Sequence, residues 1–136
     1  MLDVKFYELG YCDEKEYTRV IGVSRYKDKF VFCYNKKRHG WEIPGGHIEE
    51  NETWEEALKR ELYEETGAIK IEYEPICVYK INSFGIICYC EILEIGELPK
   101  DYEMSNIILS DNLPDNLTYP DTFKLYFEKV KNKKGL

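Results

Sequence analysis

The stretch Gly46–Ala68 reads G-H-I-E-E-N-E-T-W-E-E-A-L-K-R-E-L-Y-E-E-T-G-A and constrains this chain more than any other. A glycine-rich turn, Pro44-Gly45-Gly46, leads into it. Thr53 is a good N-cap, and Glu56 three residues on completes a capping box. Gly67 stands where a helix favours a left-handed residue at its C-terminus. These signals predict a loop followed by a helix of roughly three to four turns. The acids on that helix are informative. At about 100° per residue, Glu61 and Glu65 fall on the side of Trp54, Ala57, Leu58 and Leu62, and Glu64 lies at its edge. Glu55, Glu56, Lys59 and Arg60 occupy the outer face, as charges on a surface helix should. Three carboxylates within about one turn repel one another unless cations hold them, and such oxygens suit a hard divalent ion, above all magnesium. A solvated acidic helix is the plain alternative in a chain with 26 acids among 136 residues. It suits Glu55 and Glu56 better than it suits the inward trio.

The same residues resemble the Nudix box, G-x5-E-x7-R-E-U-x-E-E-x-G-U, where U is a bulky aliphatic residue. Gly46, Glu52, Arg60, Glu61, Leu62, Glu64, Glu65 and Gly67 fall in register. Ala68 departs from the pattern at its last position, where Ile69 is expected to fill the gap. A pattern with this many fixed letters is far more specific than a short glycine motif. Outside the box the resemblance rests on a hairpin before it, the approach W-E-I-P-G-G, and L-P-D-N-L-T-Y-P at 113–120, which is similar to the ending of MutT-type members.

Length and composition set the frame. A chain of 136 residues, 43% apolar and with twelve tyrosines, suits one globular domain over 1–136. The net charge of −7 argues against a dedicated nucleic-acid surface. No apolar run reaches membrane-spanning length and no signal-peptide pattern opens the chain, so the cytoplasm is the expected location. The cysteines, Cys12, Cys33, Cys77, Cys88 and Cys90, show no C-x-x-C pair or zinc spacing and read as reduced, buried small hydrophobes.

In chain order, Val4–Gly10 reads as a strand or extended arm. Residues 17–25 and the run from Phe30 form a hairpin about a polar break at Tyr26–Lys29. The connection Asn35–Gly40 carries Lys36-Lys37-Arg38-His39, a basic run that either attracts a polyphosphate or is a solvated loop. His39 and His47 read as structural or solvent-facing, with substrate contact the alternative. Beyond the box, Ile69–Ile81 reads as a strand with an irregular point at Pro75, and Phe84–Leu93 as a second strand after an Asn82-Ser83 turn. Glu94–Tyr102 reads as a loop and Ile107–Leu109 as a short strand. Thr118–Lys131 reads as an amphipathic helix with Asp121 near its start and lysines near its end, followed by a frayed tail. Strands on both sides of one helix, closed by another, imply an α/β/α sandwich with a central mixed sheet, which agrees with the Nudix fold.

The resemblance implies a Mg2+-dependent pyrophosphohydrolase, with Mn2+ as the other candidate ion, acting on a diphosphate bond usually joined to a nucleoside. It assigns Glu61, Glu64 and Glu65, with the Gly45 carbonyl, to the metal. One glutamate also takes the proton from the attacking water, Glu61 by preference and Glu64 otherwise. Arg60 and Glu52 would form a positioning ion pair. A further metal-binding acid from outside the box is expected at Glu103, with Glu91, Glu94 and Glu97 as alternatives. Phe6, Tyr79 and Phe84 are candidates to stack a base, and Asn116 to read its edge. A nucleoside triphosphate, including an oxidised one such as 8-oxo-dGTP, is the preferred substrate, giving a monophosphate and pyrophosphate. A nucleotide sugar, a dinucleoside polyphosphate or an RNA 5′ end is the alternative within the class. A non-catalytic nucleotide-binding module is the alternative outside it. No stable nucleic-acid or membrane partner is expected, and the chain is expected to be a monomer or homodimer.

Overall fold

The computed structural model of the chain describes residues 3–100, 102 and 104–136. Among these residues eight strands and two α-helices run in the order β1 (Lys5–Tyr7), β2 (Tyr17–Tyr26), β3 (Lys29–Asn35), β4 (Gly40–Glu42), β5 (Gly45–His47), α1 (Trp54–Thr66), β6 (Ala68–Ile81), β7 (Ser83–Ile95), β8 (Met104–Ser110) and α2 (Pro120–Lys134), with a single 3-10 turn at Glu14–Glu16 before β2. The sheet path is β1-β6-β7-β2-β3-β4, with β5 on β2 and β8 on β3. The β2–β7 pairing is parallel and the other strand pairings are antiparallel, so the sheet is mixed.

Alternation along the strands divides the interior in two. Val20, Val31, Val78 and Ile86 face one way and pack with Ala57, Leu58 and Leu62 of α1. Their neighbours Ile21, Phe32, Tyr79 and Ile87 face the other way and pack with Phe123, Tyr126, Phe127 and Val130 of α2. This is the α/β/α arrangement expected from the order of elements. The β2–β3 hairpin, the long β6–β7 pair and both helices lie where the sequence places them. The expected irregular point is also there, since the β6–β7 register slips between Pro75 and Cys77.

Several local expectations change. The extended arm contracts to the three residues of β1. The strand expected at Ile107–Leu109 spans Met104–Ser110, because it has all of β3 to pair with. The frayed tail is helical through Lys134, and Gly135 closes it in the left-handed region at φ 70°. Ile69 does not fill the gap beside Ala68. Strand alternation turns it outward, 60% exposed, while Ala68 itself is buried. Of the cysteines, all free, Cys33, Cys77, Cys88 and Cys90 are buried and Cys12 is half-buried. Among the described residues no helix is long and apolar enough to cross a membrane.

Candidate active site

Local sequence sets the position of α1. The Thr53 side chain accepts from the Glu56 N–H at 3.1 Å, and Glu56 accepts from the Thr53 N–H at 2.9 Å. Gly67, at φ 81°, stops the helix. Its second half runs against the segment read from sequence as a glycine turn. That segment is β5, a short strand held on β2 through Gly45↔Ile21, Gly46↔Val20 and His47↔Arg19. The glycines permit this contact. A Cβ on Gly46 would stand 2.6 Å from the Glu61 carboxyl carbon, and one on Gly45 would stand 2.5 Å from the Val20 carbonyl oxygen. The Gly45 N–H donates to Glu65 Oε1 at 2.8 Å. Gly46→Ala should therefore displace Glu61, costing about 1–3 kcal/mol of stability and about tenfold or more in turnover. Chemical denaturation and a rate assay check both numbers, and wild-type values in each would contradict the packing argument.

Arg60 does not lie out on the solvent face. It is 27% exposed and folds back over the loop and helix. Its Nε donates to Glu52 Oε2 at 2.7 Å and its Nη2 to Glu52 Oε1 at 2.9 Å, a two-pronged pair. Nη2 also donates to the His47 carbonyl at 3.0 Å, and Nη1 to Glu61 Oε1 at 2.8 Å. Glu64 lies 3.2 Å from Nη1, and Glu49 lies 3.1 Å from Nε. One guanidinium thus ties four carboxylates and a backbone carbonyl together.

The carboxylates differ in their electrostatics. Glu52 is held below its ordinary pKa, chiefly by the Arg60 hydrogen bond. Glu61 is pushed up to about 7 by burial, against the pull of Arg60 and with help from Glu64 and Glu52. Glu65 is raised well above its ordinary value by burial and by Glu61, while the Gly45 N–H opposes the shift. Carboxyls that bind protons more tightly folded than unfolded stabilise the fold below the unfolded pKa and lose that contribution as pH rises through the folded one. For Glu61 the window runs from 4.5 to about 7. Metal-free protein should accordingly unfold at lower denaturant at about pH 8 than at about pH 5, by an amount on the order of 2–3 kcal/mol. Equal midpoints would contradict it.

Of the residues outside the box, Glu103 lies outside the described residues. Glu91 is taken up by a hydrogen bond from the Tyr89 hydroxyl, and Glu94 and Glu97 are exposed. The candidate base-stacking residues do not gather at one point. Tyr79 is a core residue, 2% exposed beneath Gly85 and against Tyr126, so it offers no ring face to a base. Strand alternation places it inward, a position that tyrosine composition does not reveal. Phe6 lies on β1 under Lys129, and Phe84 packs with Tyr7 and Tyr11 beneath Lys80. Asn116 takes φ 59° and donates to the His39 carbonyl at 3.3 Å, so it braces the 39–41 turn.

The basic run divides as well. Arg38 is ion-paired at 2.9 Å with Glu42, a carboxylate only 5% exposed that the sequence reading passed over. Glu42 is close enough to help raise Glu65, and the fully buried thiol of Cys33 is raised by burial and by both glutamates. The W-E-I-P-G-G approach held the only signal for Glu42, an acid inside an apolar strand.

A divalent cation suits this donor set. All side-chain donors are hard oxygens, and Gly46 leaves room beside Glu61. Glu61 and Glu65 are lifted by burial and by neighbouring carboxylates, Glu61 despite Arg60, a strain that a cation beside them would relieve. Among the described residues no three acidic, histidine or cysteine side chains already converge on one cation position. Arg60 holds oxygens of Glu61 and Glu64, so an ion would compete with it for them.

Comparison with known proteins agrees with this geometry. The family model described as NUDIX domain matches residues 12–84. The Bacillus subtilis (strain 168) protein YtkD, a candidate 8-oxo-dGTP diphosphatase, is 30% identical over 122 residues, covering 86% of this chain and 75% of YtkD. A MutT-like protein of Streptomyces ambofaciens is 39% identical over 70 residues, covering 50% of this chain, which spans only 45% of that protein's length. Among solved structures, the Bacillus subtilis pyrophosphohydrolase BsRppH superposes with a TM-score of 0.79 at 23% identity, covering 96% of this chain and 90% of that one, a likeness of fold. The matched model spans the hairpin, β5 and the whole of α1, where the carboxylates and Arg60 meet, and on that ground the chain belongs to the Nudix hydrolase family as a MutT-like member.

Proposed function

We propose that this Nudix pyrophosphohydrolase cleaves a nucleoside triphosphate, including oxidised guanine nucleotides of the 8-oxo-dGTP kind, to a nucleoside monophosphate and pyrophosphate. The observation that carries the reading is the gathering of three helix carboxylates beside a glycine strand, Glu61 and Glu65 against Gly46 and Gly45, and Glu64 held with Glu61 by Arg60. Glu61, Glu64 and Glu65, with the Gly45 carbonyl, would hold Mg2+ or Mn2+. When bound, the ion supplies neutralisation of phosphate oxygens and a lowered pKa for its water. Glu61, with Glu64 as the other candidate, is the group that takes the proton from the attacking water, since it stands at the meeting of α1 and β5 beside Gly46. Glu52 and Arg60 position, and move no proton. Arg60 fixes β5 at His47 to the helix at Glu61, so the donors on both sides keep their spacing.

Nucleotide substrates are favoured over RNA ends by the extent of the likeness. The likeness to YtkD runs over 122 residues, well beyond the box. The RNA pyrophosphohydrolase of Sulfurovum sp. (strain NBC37-1), 45% identical, matches over 56 residues, 39% of this chain and 36% of that one. A panel of nucleoside triphosphates, their oxidised forms, nucleotide sugars, dinucleoside polyphosphates and 5′-triphosphorylated RNA, assayed with Mg2+ or EDTA, tests the reading. Pyrophosphate released only from triphosphates and only with the ion is the expected result. Preference for any other class would overturn it. Thermal unfolding gives a check without turnover. Saturating Mg2+ at about pH 8 should raise the midpoint by several degrees, as about 1–3 kcal/mol of ligand stabilisation does in a chain this size.

A further inference from the structure

Five residues stand in register across adjacent strands at one end of the sheet. Phe6 of β1 faces Tyr79 of β6, Tyr79 faces Gly85 of β7, Gly85 faces Arg19 of β2, and Arg19 faces His47 of β5. Gly85 has a definite part in this row. A Cβ there would lie 2.4 Å from the Tyr79 ring and 2.8 Å from its hydroxyl oxygen, so the ring lies across β7 toward β2. The Tyr79 hydroxyl is buried, and the Tyr126 hydroxyl is its hydrogen-bonding neighbour, though outside ideal geometry. Its electrostatic neighbours are the Tyr126 hydroxyl and the Arg19 guanidinium. Arg19 draws down the pKa of both phenols, against the burial that lifts Tyr126 to about 12. Arg19 itself is exposed and, among the described residues, makes no ion pair. Its strand partner His47 directly follows Gly46.

We infer that Arg19 is a binding residue for a phosphate group of the substrate that the α1 carboxylates do not engage. This assignment rests on the polyphosphate reading above and names a specificity residue within it. Chemistry selects the ligand. A guanidinium only donates hydrogen bonds, and that of Arg19 has no carboxylate against it among the described residues. Phosphate oxygens only accept, and they match the guanidinium fork. A planar base does not fit instead, because Tyr79, Phe123 and Tyr126 are all buried against one another. By alternation Arg19 leaves β2 on the α2 face with Ile21, whereas Glu61 meets Gly46 from the α1 side. The two groups therefore approach a polyphosphate from opposite faces of the β5 edge, which favours several linked phosphates over one.

Calorimetric titration of the full chain with methylene-bridged tripolyphosphate in excess Mg2+ tests this without a base or turnover. Arg19→Gln should weaken binding about tenfold or more, and lower the slope of log affinity against log salt by about one charge. Arg19→Lys should recover part of the loss. In the nucleotide reaction the Arg19→Gln loss should appear in KM, with kcat within about threefold of wild type. Binding by Arg19→Gln within twofold of wild type, or no binding by the wild type, would overturn the assignment. If Arg19 proves necessary for tripolyphosphate but no nucleoside triphosphate is hydrolysed, the substrate reading fails and the phosphate site stands. If triphosphates turn over normally in Arg19→Gln, the phosphate site fails alone.

Discussion

Glu65→Gln is expected to lower Mg2+-dependent turnover by two orders of magnitude or more, about 3 kcal/mol of transition-state stabilisation, in a chain that still folds. The substitution keeps the size of the side chain and an oxygen that can accept the Gly45 N–H now 2.8 Å away. It removes a negative charge that burial and Glu61 already disfavour. Without a cation the variant should therefore gain on the wild type as pH rises, because the wild-type Glu65 loses its proton beside charged neighbours and the glutamine does not. With Mg2+ the order should reverse, because the wild type alone gains the full stabilisation by the ion. Rates and denaturation midpoints, each with and without Mg2+, separate these effects. A variant with near wild-type turnover would remove Glu65 from the proposed metal set.

Arg60→Ala is expected to be the most damaging single change in stability as well as activity. Truncation strands Glu52 and Glu61, each about 15% exposed in its side chain, without the cation that both face. Breaking a largely buried pair from one side costs about 3–5 kcal/mol, so a loss of about 2–4 kcal/mol is expected here, where water still reaches the guanidinium. The pH dependence carries a sign. Arg60 holds Glu52 down and opposes the rise of Glu61, so its loss raises both. The variant should then lose most stability above about pH 7, where both glutamates are charged, and least at low pH. Turnover should fall because His47 and Glu61 are no longer joined. Arg60→Lys keeps the charge but not the fork, and should recover stability more than rate. An Arg60→Ala protein with unchanged rate and midpoint would show that the ion pairs are incidental.

Both predictions rest on residues that could be found without coordinates, and the reason is local. Capping, helical period and the left-handed preference of glycine act over a few residues, so α1 appears in the sequence with its bounds, its N-cap and its inward carboxylates. The Arg60–Glu52 pair follows from the resemblance, and the strand order of elements follows from alternation and turns. The unread parts are those in which distant segments meet. Period alone places Arg60 outward, but a long flexible side chain goes to the charge that attracts it, and that charge lies on the preceding loop. Tyr79 is indistinguishable in sequence from a surface tyrosine until β6 is paired between β1 and β7 and α2 closes over it.

The carboxylate chemistry of this chain was written in one uninterrupted stretch, because a helix and the turn before it are set by neighbours along the backbone. What surrounds that chemistry arose from pairing across the sheet. β5 lies on β2, Glu42 is buried near Glu65, and Arg19 stands beside His47 of β5 as an exposed cation. Strand partners far apart in the chain are chosen by the burial of whole faces, a collective term that no short window of residues contains.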